Sequence, residues 1–232
     1  MDSGAKACIL KDFDAALFDM DGTLIDSMWV WKDIDRKFLG ERGFEDSAEV
    51  QKAIEGLSFH KTAVYFKSHF SLSESVEEIK DIWNNMAYEV YARDIALKPG
   101  AAEFLDYCAD RGIGCAIATS NSPMLVEACL KNLGIYDKFG SIRTTLEVKN
   151  SKPAPDIYFL TADDLKTPYE RCIVFEDIIA GIEAGRAAGM RVCAVEDDYS
   201  LPDTARKKAL ADYYIRDFRE LLRPFGALEA RN

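Results

Sequence analysis

The stretch Phe18-Asp19-Met20-Asp21-Gly22-Thr23 sets two carboxylates two residues apart at the end of the first strongly apolar run, Ala15-Ala16-Leu17-Phe18. That run is short, continuous and followed by an Asp-Gly turn signal, which reads as a strand buried on both faces, as in a parallel sheet. Alternate residues of an extended chain point to one face ~6.6 Å apart at ~3.3 Å per residue, so Asp19 and Asp21 can address one pocket. The spacing suits a single phosphoryl group flanked by a nucleophile and a proton donor. The competing reading of this stretch alone is that Asp-Gly only makes a tight turn with both acids in water.

Other phosphate and metal motifs fit this stretch worse. A calcium loop with Gly22 at its sixth position needs Glu where Met28 stands, and one begun at Asp19 needs Gly at Leu24 and Glu at Val30. No Gly-Lys pair occurs, which removes the P-loop. Gly112-Ile113-Gly114 has Ile117 where a dinucleotide fingerprint needs its third Gly.

The chain of 232 residues fits one large domain or a domain with an insertion, with ample length for a core. A net charge of -11 argues against nucleic-acid and acidic-membrane partners, whose phosphates it would repel. An anionic substrate must therefore be attracted locally, by a cation. Cys8, Cys108, Cys115, Cys129, Cys172 and Cys193 show no CxxC spacing and read as reduced, buried small hydrophobes. Only His60 and His69 offer imidazoles, too few for a His-rich zinc site. Residues 1–14 lack the apolar core of a signal peptide and no segment approaches the ~20 apolar residues of a membrane span, so the expected location is cytoplasmic.

After Thr23 the apolar period changes from strand to helix. From Asp26 to about Ile95 no convincing strand appears. Trp31, Ile34 and Phe38 form one stripe; Val50, Ile54 and Leu57 form another after a capping box read at Asp46 and Glu49; Val76, Ile79, Trp83, Met86 and Val90 mark a helix of ~28 Å if it runs to Asp94. An all-helical unit, residues 26–96, is thus expected as an insertion between 1–25 and 97–232. Beyond Lys98-Pro99-Gly100 helix alternates with apolar strand. Helices are expected at 101–109, 123–133, 155–162 and 179–188, and strands at 113–119, 141–144, 172–175, 192–195 and 213–215. Strands separated by helices imply right-handed crossovers and an α/β fold with a doubly wound parallel sheet, in which ligands bind at the carboxyl ends of strands.

Those ends carry the remaining polar clusters. Thr119-Ser120-Asn121 offers hydroxyls and backbone N–H groups before a helix, suited to phosphate oxygens. Ser151-Lys152-Pro153 presents a Lys held extended by the proline after it. Glu176-Asp177 follows the apolar run Cys172 to Phe175. Each cluster alone has a bland reading as a cap or a solvated charge. Four of them at the carboxyl ends of different predicted strands of one sheet do not fit chance placement.

With these residues in this order the chain resembles the haloacid-dehalogenase superfamily, in the branch with a helical cap inserted after the first motif, across about residues 12–222. The motifs are Asp19-Met20-Asp21-Gly22-Thr23, Thr119, Lys152 and Glu176-Asp177. The resemblance implies a phosphatase in which Asp19 attacks phosphorus to form an aspartyl-phosphate, while Asp21 protonates the leaving oxygen and then activates water. It implies Mg²⁺ as cofactor, held by Asp19, the Asp21 carbonyl and Asp177, with Glu176 joining directly or through water. Lys152 and Thr119 would orient the phosphate oxygens, with Ser120 and Asn121 as further substrate contacts. The family's carbon–halogen hydrolases lack the acid at Asp21, which an alkoxide leaving group needs.

Residues 56–61 resemble the family's cap loop that reaches toward substrate, which makes His60 and Lys61 candidate substrate contacts. The cap is expected to close over the site on linkers near residues 24–27 and 95–99. By alignment through the shared motifs, Trp31 and Phe59 occupy positions where the β-phosphoglucomutases of this branch carry His and Arg. That favours a phosphatase of a small phosphorylated metabolite, of sugar phosphate or phosphoglycolate type, over a mutase. A phospho-acceptor signalling domain of receiver type is the competing class. The inserted helices and Asp21 argue against it. The family prior for assembly is monomer or weak dimer.

Overall fold

The apolar runs become strands and the amphipathic runs helices in a computed structural model that describes residues 12–54 and 59–222. In chain order, β1 (Ala15–Phe18) and a short β2 (Ile25–Asp26) lead into four helices, α1 (Trp29–Gly40), α2 (Ala48–Ile54), α3 (Phe59–His69) and α4 (Val76–Tyr91). The chain returns through β3 (Ala96–Leu97) and then alternates: α5 (Ala101–Asp110), β4 (Gly114–Thr119), α6 (Pro123–Asn132), β5 (Ser141–Thr144), α7 (Asp156–Asp164), β6 (Cys172–Glu176) and α8 (Ile179–Ala187). Last come β7 (Arg191–Val195), α9 (Thr204–Leu210), β8 (Tyr213–Ile215) and α10 (Arg219–Leu222). Residues 28–94 form one compact unit and the rest of the described chain another.

In the second unit six strands pair in parallel in the order β5-β4-β1-β6-β7-β8. From β1 the chain winds outward through β4 and β5, then crosses back to β6 and winds the other way. The expected doubly wound sheet is therefore present. Its switch point lies at the carboxyl end of β1, where such sheets open a crevice. The two faces of the sheet use different residues. Leu17, Ala116, Ala118, Val174, Val192 and Ala194 pack with Ile157 and Tyr158 of α7 and Ile182 of α8. Small strand residues let those helices approach closely. The alternate residues point the other way: Phe18 stacks on Phe175 with centroids 5.0 Å apart, and both meet Phe104 of α5 and Phe218. The described cysteines are all buried and unbridged, as read, while Cys8 lies outside the described residues.

Several local expectations need correction. Among the described residues, strand touches the stretch from Asp26 to Ile95 only at its edges: Ile25 pairs with Leu97 and Asp26 with Ala96 in an antiparallel ribbon, so Asp26 and Ala96, assigned above to the helical unit, fall with the sheet-bearing one. The capping box read at Asp46 is not formed. Ser47 accepts from the Val50 N–H at 3.3 Å, and Asp46 instead accepts from the Gln51 side chain. A true capping box opens α4 at Ser75 and Glu78, and that helix stops at Tyr91 rather than Asp94. Its buried stripe is Ile79, Trp83, Ala87 and Tyr91, a strict four-residue step, while Val76, Met86 and Val90 are only half-buried. Phe59, His60 and Lys61, expected in a loop, form the first turn of α3; residues 56–58, including Leu57, lie outside the described residues. Short helices α9 and α10 were not legible at all.

The helical unit is held by rings. Trp83 packs edge-on against Phe38 and Phe66, and Phe59 bridges Trp83 to Trp31 at 5.5 and 5.4 Å. Asp35 is buried on the same face of α1 as Phe38 and Leu39. Burial pushes its carboxyl up to about 7, repulsion from Asp46 adds to this, and a hydrogen bond from Gln51 offsets only part. The folded chain therefore keeps a proton that the unfolded chain releases near 3.8. Stability drawn from this residue falls as pH rises from about 4 to about 7 and is constant above. Asp35→Asn should accordingly raise unfolding stability by about 2 kcal/mol at pH 8 and by little at pH 4. Urea midpoints of both proteins across that range check this. A gain that does not grow with pH would contradict it.

Candidate active site

Asp19 follows β1 directly, its N–H bonded to the Phe175 carbonyl at 3.0 Å, so sheet pairing continues to the acid itself. The chain then turns back at Gly22, whose φ of 77° lies in the left-handed region that glycine adopts without strain. The turn carries Thr23 across to β6, where its hydroxyl donates to Asp177 Oδ1 at 2.8 Å.

Lys152 reaches the same edge from the loop before α7. Its Nζ donates to Asp19 Oδ1 at 2.6 Å, Glu176 Oε1 at 2.6 Å and the Ala118 carbonyl at 2.9 Å. Glu176 Oε1 also accepts from the Tyr158 hydroxyl at 2.7 Å, and its Oε2 accepts from the Asp177 N–H at 3.2 Å. The Glu176 carboxylate sits against Gly181: a Cβ there would stand 1.8 Å from Oε1, so any side chain at that position in α8 would force the carboxylate out of its place. Burial pulls the Lys152 ammonium down, but the attraction of Asp19 and Glu176 outweighs it and holds the group above its ordinary value. Burial pushes Asp19 well up, and repulsion from Glu176 and Asp177 adds to what Lys152 cannot cancel. Burial and Glu176 likewise push Asp177 up to about 7.

One lysine among these acids leaves negative charge uncompensated. Asp19, Glu176 and Asp177 offer carboxylate oxygens that all lie within 4.8 Å of one another, and all three residues are buried. Asp177 Oδ2 is buried with no hydrogen-bond donor. An orphaned carboxylate oxygen in an all-oxygen cluster of excess negative charge is what a hard divalent cation requires, so the residues present fit such an ion.

A second chain of bonds holds Asp21. Ser27 donates to its Oδ1 at 2.7 Å and the Asn121 side-chain amide to its Oδ2 at 2.9 Å. The Asn121 N–H in turn donates to Thr119 Oγ1 at 3.1 Å, tying the end of β4 to the acid. Asn121, read above as a substrate contact, thus has its amide committed to Asp21. Ser120 beside it is exposed, and the helix cap proper is Ser122, which accepts from the Leu125 N–H. His60 and Lys61 belong to the helical unit and are exposed there; His60 lies 4.0 Å from Glu77. The structure therefore groups Asp19, Lys152, Glu176 and Asp177 in one network and Asp21, Asn121 and Thr119 in another along the same sheet edge. Sequence reasoning gave no role to Thr23, Ser27 or Tyr158. Thr23 closes the first motif and Ser27 follows it by four residues, so both hydroxyls were within reach of the sequence, whereas Tyr158 reads as one more core aromatic of α7.

A doubly wound sheet bearing an acid pair, a hydroxyl, a lysine and a second acid pair at its carboxyl edge defines a class of hydrolase. Residues 13–189 match the family model of the haloacid dehalogenase-like hydrolases, and the chain belongs to that family. It is 32% identical over 197 residues, 80% of its length, to Protein SUPPRESSOR OF QUENCHING 1, chloroplastic, of Arabidopsis thaliana, and spans 18% of that longer protein. It is 32% identical over 188 residues to Hexitol phosphatase A of Escherichia coli, covering 80% of this chain and 84% of the relative. Among solved structures, CbbY from Rhodobacter sphaeroides in complex with phosphate superposes with a TM-score of 0.77 at 27% identity, over 90% of this chain and 96% of the other. Among the described residues no helix is long and apolar enough to cross a membrane.

Proposed function

We propose that the chain is a Mg²⁺-dependent phosphatase of a small phosphorylated sugar or polyol, working through an aspartyl-phosphate on Asp19. The observation that carries this reading is the buried network of Asp19, Lys152, Glu176 and Asp177, with Asp177 Oδ2 left without a donor. Asp19 Oδ2 attacks phosphorus in line while Lys152 holds Oδ1 and fixes the carboxylate plane. Asp21, oriented by Ser27 and Asn121, gives its proton to the departing alkoxide and then takes one from the water that cleaves the acyl phosphate. Lys152 and the Thr119 hydroxyl meet the equatorial oxygens as charge redistributes, with Ser120 at the rim. A bound dication, held by Asp19, Asp177 and the Asp21 carbonyl with Glu176 joining directly or through water, supplies the remaining positive charge that lets two anions meet.

The relatives that act on hexitol phosphates or bind phosphate support the substrate class. Trp31 and Phe59 pack on each other and offer no group for proton transfer, which favours hydrolysis over a mutase cycle. In this reading residues 28–94, with His60 and Lys61, form the specificity element. The test is a panel of phosphorylated sugars and polyols given to chelator-treated protein with and without Mg²⁺. Release of inorganic phosphate over many turnovers, only with Mg²⁺, is expected. A stable phosphoprotein without turnover would point to a phospho-acceptor, and isomer interconversion primed by a bisphosphate with little free phosphate would point to a mutase.

A further inference from the structure

Lys207 of α9 is a fully buried lysine that no step above uses. Burying an ammonium costs several kcal/mol unless it is well paired. Yet its hydrogen bonds go to neutral oxygens, Ser200 Oγ at 2.8 Å and the Val195 carbonyl at 3.3 Å, beside the ring of Tyr214. Asp177, Asp197, Glu196 and Asp203 act on Lys207 electrostatically but none is hydrogen-bonded to it, and Asp197 has its own partner in Lys98 at 2.5 Å. The route onward from Lys207 leads to the acid cluster. Ser200 Oγ, accepting from Lys207, has its own proton to give, and of the two acceptors within reach the backbone carbonyl of Asp177 at 2.9 Å is nearer than that of Asp197 at 3.4 Å. Asp177 is therefore held at three points, by Thr23 on Oδ1, by Ser200 on its carbonyl and by Glu176 Oε2 on its N–H, and the one oxygen left without a donor is Oδ2.

We propose that Lys207, acting through Ser200, is a positioning residue that holds the corner between β6 and α8 so that Asp177 Oδ2 stays aimed at the divalent cation. The inference rests on the reading that a cation binds there. Lys207 orients Ser200 as a donor, because a hydroxyl that accepts an ammonium proton turns its own hydrogen away, toward the Asp177 carbonyl. Side chains behind metal ligands fix ligand direction in this way, and their removal weakens metal binding by about 10- to 100-fold.

The experiment titrates chelator-treated, full-length protein with Mn²⁺, reading free ion by electron paramagnetic resonance, with melting curves in parallel. Ser200→Ala and Lys207→Met are each expected to weaken Mn²⁺ binding about tenfold or more. The double variant should be no weaker than the worse single one, since both interrupt one chain. A melting temperature that drops while Mn²⁺ affinity holds would make the pair a structural strut and overturn the proposal, as would losses that add. If Lys207→Met does not fold, Ser200→Ala with unchanged affinity is sufficient to overturn it. A wild type that binds no Mn²⁺ would instead remove the cation reading itself, which separates that failure from this one.

Discussion

Asp19→Asn is expected to lower kcat for phosphate release by on the order of 10⁴-fold or more with the protein still folded. The amide is nearly the same shape as the carboxylate and keeps an oxygen for Lys152, so packing at the end of β1 is retained. What is lost is the anionic carboxylate oxygen that attacks phosphorus in the proposed mechanism, since an amide oxygen is a far weaker nucleophile. Folding should not suffer. Burial and two neighbouring acids already push the Asp19 carboxyl upward, so a neutral side chain relieves crowding among like charges. Steady-state assays beside a melting curve make the comparison, and wild-type turnover in a well-folded Asp19→Asn would remove Asp19 as nucleophile.

Lys152→Met should act on the fold as well as on catalysis. The ammonium makes three hydrogen bonds and is almost wholly buried between Asp19 and Glu176. Taking it away leaves two buried carboxylates facing each other without a cation, the situation that costs about 3–5 kcal/mol when one partner of a buried ion pair is removed. For a chain of this size that corresponds to a melting temperature lower by about 10 °C. Added Mg²⁺ should restore part of the loss, since an ion that binds only the folded cluster stabilises it by mass action. Thermal unfolding with and without Mg²⁺ reads both effects. Stability equal to wild type in the absence of metal would mean that the acids do not face one another through Lys152.

The centre of the sheet was legible because β1, β4, β6 and β7 carry continuous apolar runs, three of them running into acidic residues and β4 into Thr119-Ser120, whereas β5, with Ser141 and Arg143, was the weaker reading. Asp19, Thr119 and Glu176 were legible for the same reason: each stands where such a run stops. The helical unit was harder to read. Met86 and Val90 are as apolar as Ala87 and Tyr91, and only packing against neighbouring rings decides which pair turns inward on α4. Asp46 and Ser47 are both good caps, and the choice between them depends on how the chain enters α2. Ser200 and Lys207 were out of reach because a serine in a polar loop and a lysine in a polar helix look solvated until tertiary folding closes β7 and α9 over the corner after β6.

The antiparallel pairing of Ile25 with Leu97 and Asp26 with Ala96 brings departure and return of the inserted chain side by side, about 5 Å apart as paired strands must be. Whatever lies between those two points makes no demand on strand register elsewhere. Residues 28–94 can thus change in length and composition without altering the pairing of the six-stranded sheet, and under the proposed function that would let recognition vary while the acidic edge is kept.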